Sequence, residues 1–314
     1  MKKLSLDFWA LDESKSFLRF TQNNIILTLL ISVGYFIWFG QVIAYRPEHS
    51  VLYFLLLFLF YCNSITRSFM KAMFPFVIFW VVYDSLRIIP NYTINPIHIQ
   101  QPYLLEKFLF GVNDNGVRIT LNEYFTKYHT TFLDLLSGLF YINWVPVPLL
   151  FGIYVFLKDK TIMYSFAYCF LFVNLIGFCV YYIYPAAPPW YVAEYGFTEH
   201  FNIMGNVGNL KYFDALVGSP IFKGIYEKNA NVFAAMPSLH SAYPLIVLYF
   251  AIQKKMGKFI IFFVVFCLGI WGSAVYSNHH YVIDVLAGIS CAVLGITLFN
   301  VFVRKPMIKY ILPL

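Results

Sequence analysis

Long apolar runs, separated by short polar stretches, set the pattern of this chain. A helix that crosses a bilayer needs about 20 apolar residues, and eight runs meet or approach that length. The pattern therefore predicts an all-α polytopic membrane protein with about eight transmembrane helices. In chain order, the predicted spans are Asn24–Ala44, Val51–Ile65, Met73–Ile89, Leu133–Leu157, Met163–Tyr184, Leu239–Gln253, Phe259–Tyr276 and Tyr281–Val303.

The composition favours a lipid environment over water. Of the 314 residues, 60% are hydrophobic and 12% are charged, against about 45–50% and about 25% in soluble domains. The formal net charge is +7, but the basic residues form short clusters and no stripe that could follow a nucleic-acid backbone. We therefore expect a membrane as a partner and no nucleic acid.

The basic clusters predict the orientation of the chain. With a cytoplasmic N-terminus, 14 of the 22 Lys and Arg residues fall on the cytoplasmic side, as the positive-inside rule requires. All seven histidines then fall on the outer side. We predict both termini in the cytoplasm, residues 1–22 as a cytoplasmic segment, and one integral membrane domain over 1–314 with a catalytic core at about 130–303. A bacterial inner membrane is the expected location, or a Golgi membrane in a eukaryote, with the active site on the periplasmic or lumenal side.

Two outer loops, residues 90–132 and 185–238, are far longer than ordinary connections between packed helices. Within the first, Leu104–Gly111 and Ile119–Phe125 are amphipathic and predict short helices at the membrane interface. The second opens with Pro185–Tyr191, where the density of prolines predicts a rigid, non-helical backbone. Loops of this length predict a cap over a functional site.

Two polar clusters begin predicted spans at the outer boundary, Met236–His240 and Ser277–Asp284. His280 and Asp284 are four residues apart, so on a helix they share a face and the carboxylate can orient the imidazole. An aspartate inside an apolar helix costs roughly 2.5 kcal/mol or more unless it faces a partner or a cavity. The clusters together predict a catalytic site made of His240, His280 and Asp284.

Other polar residues leave alternatives open. On a helix His279 is turned about 100° from its neighbour, which favours a structural role. Asp84 and Arg87 are three residues apart, so they can pair with each other, or Arg87 can hold an anionic headgroup. The five cysteines lie in apolar segments without the spacing of a metal site, and no metal is expected.

The two clusters resemble motifs of the type 2 phosphatidic acid phosphatase superfamily, Pro-Ser-x-His and His-x-x-x-Asp. They stand here at Pro237–His240 and His280–Asp284. The third motif, which ends in His-x-x-x-Asp, usually begins Ser-Arg; this chain has Ser273 there but Ala274 in place of the arginine. The Lys-x6-Arg-Pro motif is also incomplete, because Phe39 occupies the position of its lysine. The resemblance implies a six-helix core of that superfamily, and the missing cations make a plain phosphatase less expected.

A closer resemblance is to the inositol phosphorylceramide synthase branch, which includes the fungal target of aureobasidin. The matching segments are Pro185–Tyr191, Pro237–Ser241 and Asn278–Gly288, with a departure at Asn278. This resemblance implies a transferase that moves phosphoinositol from a phosphatidylinositol-like lipid to the primary hydroxyl of a ceramide-like lipid. Diacylglycerol would be released, and neither a metal nor a cofactor is implied.

The resemblance also implies roles for named residues. His280, oriented by Asp284, would attack phosphorus to give a phosphohistidine, and His240 would move the protons. Residues expected to bind the substrate are Ser238, Pro189, Trp190, Tyr191, Arg87 and Lys228. A lipid phosphate or pyrophosphate phosphatase is the alternative within the superfamily. A transporter or channel that relays protons is the alternative outside it, and it predicts inverted repeats.

Overall fold

The computed structural model describes residues 20–229 and 231–310. Helices dominate these residues, as the apolar pattern predicts. They are α1 Gln22–Ile37, α2 Pro47–Cys62, α3 Ser64–Ser85, α4 Gln100–Phe110, α5 Leu121–Lys127, α6 Thr131–Ile142, α7 Pro146–Lys158, α8 Lys160–Ile183, α9 Pro189–Tyr195, α10 Leu210–Val217, α11 Ile221–Tyr226, α12 Leu239–Gln253, α13 Phe259–Tyr276, α14 Val282–Leu298 and α15 Arg304–Tyr310. The predicted cytoplasmic segment 1–22 lies mostly outside the described residues.

The predicted count of eight spans is not confirmed. Within the described part of the chain, five helices are long and apolar enough to cross a membrane, or six if the bent pair α6 and α7 is one span. The other two predicted spans correspond to α2 and α12, which are apolar but only 16 and 15 residues long. At a rise of 1.5 Å per residue, such helices fall short of the roughly 30 Å of hydrocarbon.

Contacts divide the chain into two compact units, Met1–Phe74 and Pro75–Leu314. In the first unit, hydroxyl groups join α1 to α2: Thr28 Oγ1 lies 2.7 Å from the Tyr61 hydroxyl, and Ser32 Oγ lies 2.6 Å from the Tyr53 hydroxyl. Such bonds satisfy polar groups between two otherwise apolar helices. The single domain over 1–314 stays a prediction.

In the second unit, α12 is the central helix. It packs against α7, α8, α13 and α14, and α13 also packs against α6. Its N-terminal half is almost entirely buried, so the apolar character on all sides of this helix reflects burial in protein. This arrangement brings the N-termini of α12 and α14 together at one end of the helices.

The predicted single span Leu133–Leu157 is two helices, with a bend of 41° between α6 and α7. Residues 143–145 interrupt the helix before Pro146, which is the first residue of α7. Proline lacks the N–H that a continuous helix needs and is favoured at a first helical position. The sequence signal for this break is therefore the pair Pro146 and Pro148.

The two long loops contain more regular structure than expected. The predicted short helices of the first loop are present as α4 and α5, but an antiparallel hairpin, β1 Val112–Asp114 and β2 Val117–Ile119, joins them. The predicted non-helical backbone of Pro185–Tyr191 is wrong in its last residues, because α9 begins at Pro189. Among residues 20–229 and 231–310, β structure is thus limited to one small hairpin and isolated β-bridges.

Candidate active site

The first residues of α12 and α14 lie against each other. The Ser238 amide donates to the Asp284 carbonyl at 2.9 Å. Gly288, one turn further along α14, approaches so closely that a Cβ added there would lie 2.1 Å from the Ser238 carbonyl oxygen. Gly288, the last residue of the matching segment Asn278–Gly288, therefore lets the two histidine-bearing segments meet.

We predict that Gly288→Ala separates these two segments and lowers both thermal stability and activity. Its methyl group would meet backbone that cannot rotate away, and overpacking of this kind costs about 1–3 kcal/mol. Thermal unfolding in detergent and turnover of lipid substrate measure the two effects. Gly272→Ala is the matched control, because an added Cβ there meets nothing within 4 Å. Equal behaviour of the two variants would contradict the packing argument.

The two predicted catalytic histidines face each other. His240 Nδ1 lies 3.3 Å from His280 Nε2. His280 Nδ1 lies 3.0 Å from the Ala235 carbonyl oxygen, and since a carbonyl only accepts, Nδ1 carries the hydrogen. In the neutral ring Nε2 then keeps its lone pair. The His280 side chain is buried.

Burial lowers the pKa of His280 to about 4, and the bond to the Ala235 carbonyl partly opposes that shift. At neutral pH the ring is therefore uncharged, which is the form that can act as a nucleophile.

His279 is placed differently from His280, since its Nε2 donates to the Val207 carbonyl at 3.0 Å and its ring stacks on Tyr226 at 4.0 Å. This contact agrees with the structural role favoured for His279.

The expected geometry of His280 and Asp284 needs a correction. The helix begins at Val282, so His280 precedes it and the pair is not two positions on one helical face. The carboxylate lies 3.8 Å from His280 Nδ1, beyond hydrogen-bond distance, and it accepts from the Tyr281 amide at 2.8 Å. The Ala235 carbonyl orients the ring, and Asp284 supplies a nearby buried carboxylate.

Two residues outside the motifs, Asn122 and Glu106, hold the backbone around His280. Asn122 Nδ2 donates to the His280 and Val275 carbonyls, each at 2.9 Å. The fully buried Glu106 carboxylate accepts from the amides of Val282 and Ile283 at 3.1 and 3.2 Å. Burial raises the pKa of Glu106, while these two bonds oppose the shift. A carboxylate at a helix N-terminus satisfies amides that the helix leaves free, so the first outer loop helps to place the third motif.

The proline-rich segment supports residues 233–235, which contain the carbonyl that orients His280. The Ala186 amide donates to the Phe233 carbonyl at 3.0 Å, and the Ala235 amide donates to the Ala186 carbonyl at 3.3 Å. Ala186 also forms an isolated bridge with His98 of the first outer loop. The segment thus joins both outer loops beside the Ala235 carbonyl.

Three residues of this segment were expected to bind substrate. Trp190 and Tyr191 are buried in a cluster with Ile99 and Phe233, and the Tyr191 hydroxyl donates to the Thr198 carbonyl at 2.8 Å. Pro189 lines an open cavity of about 260 Å³ between α4, α5 and α9, and neither His240 nor His280 lines it. The structure therefore gives Trp190 and Tyr191 packing contacts beside the site.

The other predicted phosphate-binding residues are also engaged. Ser238 is fully buried, and its hydroxyl accepts from the Ser241 hydroxyl at 3.1 Å. Arg87 pairs with Asp84 at 2.7 Å, as one of the two interpretations predicts, and also donates to the Lys228 carbonyl at 3.3 Å. The structure brings Arg87 and Lys228 together, but the Asp84 carboxylate neutralises the guanidinium. Phosphate binding by these three residues stays a prediction.

Comparison with known proteins gives the same relationship as the motifs. The model of the PAP2 superfamily matches residues 116–298, a range that contains His240, His280 and Asp284. A phosphoinositol dihydroceramide synthase of Bacteroides thetaiotaomicron is 49% identical over 282 residues, which are 89% of this chain and 92% of that protein. No solved structure matches the chain.

Fungal proteins match more distantly. An inositol phosphorylceramide synthase of Candida albicans is 28% identical over 75% of this chain and 48% of its own length. A catalytic subunit of the same enzyme from Saccharomyces cerevisiae is 27% identical over 81% of this chain and 64% of its own length. The chain thus spans about half to two thirds of these fungal relatives. By its matched range, its motifs and its bacterial relative, the chain belongs to the PAP2 superfamily, in the branch of the inositol phosphorylceramide synthases.

Proposed function

We propose that this protein transfers phosphoinositol from phosphatidylinositol to the primary hydroxyl of ceramide or dihydroceramide and releases diacylglycerol. The observation that carries the proposal is the facing pair His240 and His280, 3.3 Å apart, within a chain 49% identical to a phosphoinositol dihydroceramide synthase. One histidine can form a bond to phosphorus while the other moves a proton, and both are needed for a two-step transfer.

In the first step His280 Nε2 attacks phosphorus. The bond from phosphorus to the diacylglycerol oxygen breaks, and His240, which the bound phosphodiester anion holds in its imidazolium form against the effect of burial, gives its proton to that oxygen. His280 then holds phosphoinositol on Nε2 and a hydrogen on Nδ1, so its ring is positively charged. The Asp284 carboxylate, 3.8 Å from Nδ1, stabilises this charge, and the Ala235 carbonyl keeps the hydrogen on Nδ1.

In the second step the now neutral His240 takes the proton of the acceptor hydroxyl. That oxygen forms a bond to phosphorus, the bond to His280 Nε2 breaks, and both histidines return to their first state. Water in place of the lipid alcohol would give hydrolysis, so exclusion of water favours transfer. The burial of His280 supports this choice.

Incubation of the purified protein with labelled phosphatidylinositol, with and without ceramide, tests the proposal. We expect labelled inositol phosphorylceramide only when ceramide or dihydroceramide is present. Release of inositol phosphate at the same rate without an acceptor lipid would indicate a hydrolase. A protein that forms neither product would contradict enzymatic function on these lipids.

We further propose that the active site faces the periplasm of a bacterial inner membrane, or the lumen in a eukaryote. The support is the bias of Lys and Arg toward the other side. Cysteines placed at exposed Glu199 and exposed Lys258 should then respond differently to an impermeant thiol reagent. We expect labelling of Glu199→Cys in intact cells and of Lys258→Cys only after permeabilisation, above the signal of the unsubstituted chain. The opposite pattern would invert the topology.

A further inference from the structure

Among residues 20–229 and 231–310, no Lys or Arg contacts the histidine pair, although the reaction develops charge on phosphate oxygens. Among the described residues, His280 contacts the Ala235 carbonyl, His240 and, through its amide, the Ala274 carbonyl at 3.1 Å. Ala274 is buried and offers only a methyl group. Preorganised donors must therefore come from neutral groups near the two rings.

Tyr141 is a neutral donor that the structure places beside His240, one ring of the pair, and beside the neighbouring His279. Its ring centre lies 5.3 Å from that of His240 and 5.9 Å from that of His279. Tyr141 is fully buried and shares a packed cluster with Ala274, the residue that replaces the arginine of the motif.

The hydroxyl of Tyr141 is enclosed by protein and, within the part of the chain that the structure describes, makes no hydrogen bond of ordinary length, only a longer contact with the Tyr226 hydroxyl. Its polar neighbour is the phenol of Tyr226, which stacks on His279. Buried hydroxyl groups are nearly always paired in folded proteins, and an unpaired one is best explained by a ligand that completes it. The adjacent site would bring such a ligand.

We propose that the Tyr141 hydroxyl donates a hydrogen bond to a non-bridging phosphate oxygen during transfer, in the role that a cation would otherwise fill. This assignment rests on the proposed function. A phosphodiester donor carries a single negative charge, which neutral O–H donors can stabilise in a site that excludes water. Tyr141 would thus contact the reacting group, with the bond strengthening as charge develops on the oxygen.

The first test compares Tyr141→Phe with Tyr243→Phe in the labelled-lipid assay. Tyr243 is also buried, its ring lies 6.3 Å from His240, and its hydroxyl donates to Asn174 Oδ1 at 2.9 Å. For Tyr141→Phe we expect kcat to fall about 100-fold, KM to change little, and the melting temperature to change little, because only the long contact with the Tyr226 hydroxyl is lost. For Tyr243→Phe we expect a lower melting temperature and a much smaller change in kcat.

The second test uses the two phosphorothioate diastereomers of phosphatidylinositol, in which sulfur replaces one or the other non-bridging oxygen. Sulfur is a weak acceptor, so the wild-type protein should discriminate between them, and Tyr141→Phe should reduce that discrimination toward equality. A variant that keeps the wild-type kcat and the wild-type ratio would overturn the assignment. The wild-type protein is measured first, and its failure to make the ceramide product would instead contradict the proposed function.

Discussion

His280→Ala is expected to abolish transfer, and Asp284→Asn to reduce it by about 1,000-fold or more, both without unfolding the protein. The first variant removes the nitrogen that bonds to phosphorus. The second leaves the ring held by the Ala235 carbonyl, so its loss reflects the missing negative charge beside the ring. The same replacement in a serine protease costs about 10,000-fold because the histidine takes the wrong tautomer; here the Ala235 carbonyl keeps the tautomer, so we expect a smaller loss.

The assay for this prediction is turnover of labelled phosphatidylinositol and ceramide, together with size-exclusion profiles in detergent. His129→Ala is a matched control, because His129 also pairs with an aspartate, Asp134, at 2.9 Å. We expect this control to keep most of its activity. Wild-type turnover by His280→Ala would overturn the assignment of the nucleophile.

His240→Ala is expected to slow both steps and to accumulate a phosphohistidine on residue 280. Without His240 the diacylglycerol oxygen leaves unprotonated and the acceptor hydroxyl keeps its proton, which costs about 100- to 10,000-fold in rate. The ring of His280 remains able to bond to phosphorus, so the intermediate forms slowly and is consumed slowly. The two histidine variants should therefore differ in what they trap.

Phosphatidylinositol labelled at phosphorus, followed by an alkaline quench and peptide mapping, measures this difference. A labelled peptide that contains residue 280 is expected in His240→Ala and absent in His280→Ala. The two residues lie on different segments, before α14 and in the first turn of α12, so the map separates them. Label on residue 240 would reverse the two roles.

The motifs predict which residues meet, but not how they are held. Pro237–His240 and His280–Asp284 are recognisable in the sequence because residue type and spacing carry the signal. The carbonyl that orients His280 belongs to Ala235, and any residue type provides a carbonyl. Residue type and spacing therefore predict that Asp284, and not Ala235, orients the His280 ring.

The contacts that hold the His280 segment from distant parts of the chain also cannot be recognised in the sequence. Glu106 is separated by more than 170 residues from the amides that it accepts from, and an acidic residue in an amphipathic stretch is usually solvated. The hairpin between α4 and α5 did leave a signal, because Asn115-Gly116 is a typical two-residue turn and both residues have positive φ. Pro189 is likewise a sequence signal for the start of α9, since proline is favoured in the first turn of a helix.

The methyl group of Ala274 beside His280 has a consequence for inhibition. Inorganic phosphate and phosphomonoesters carry between one and two negative charges near neutral pH, and within residues 20–229 and 231–310 no Lys or Arg contacts the histidine pair to balance a second charge. We therefore expect orthophosphate to compete weakly with the lipid donor. Because salt screens ion pairs more than bonds from neutral hydroxyl groups, the rate of transfer should also change little with the salt concentration of the assay buffer.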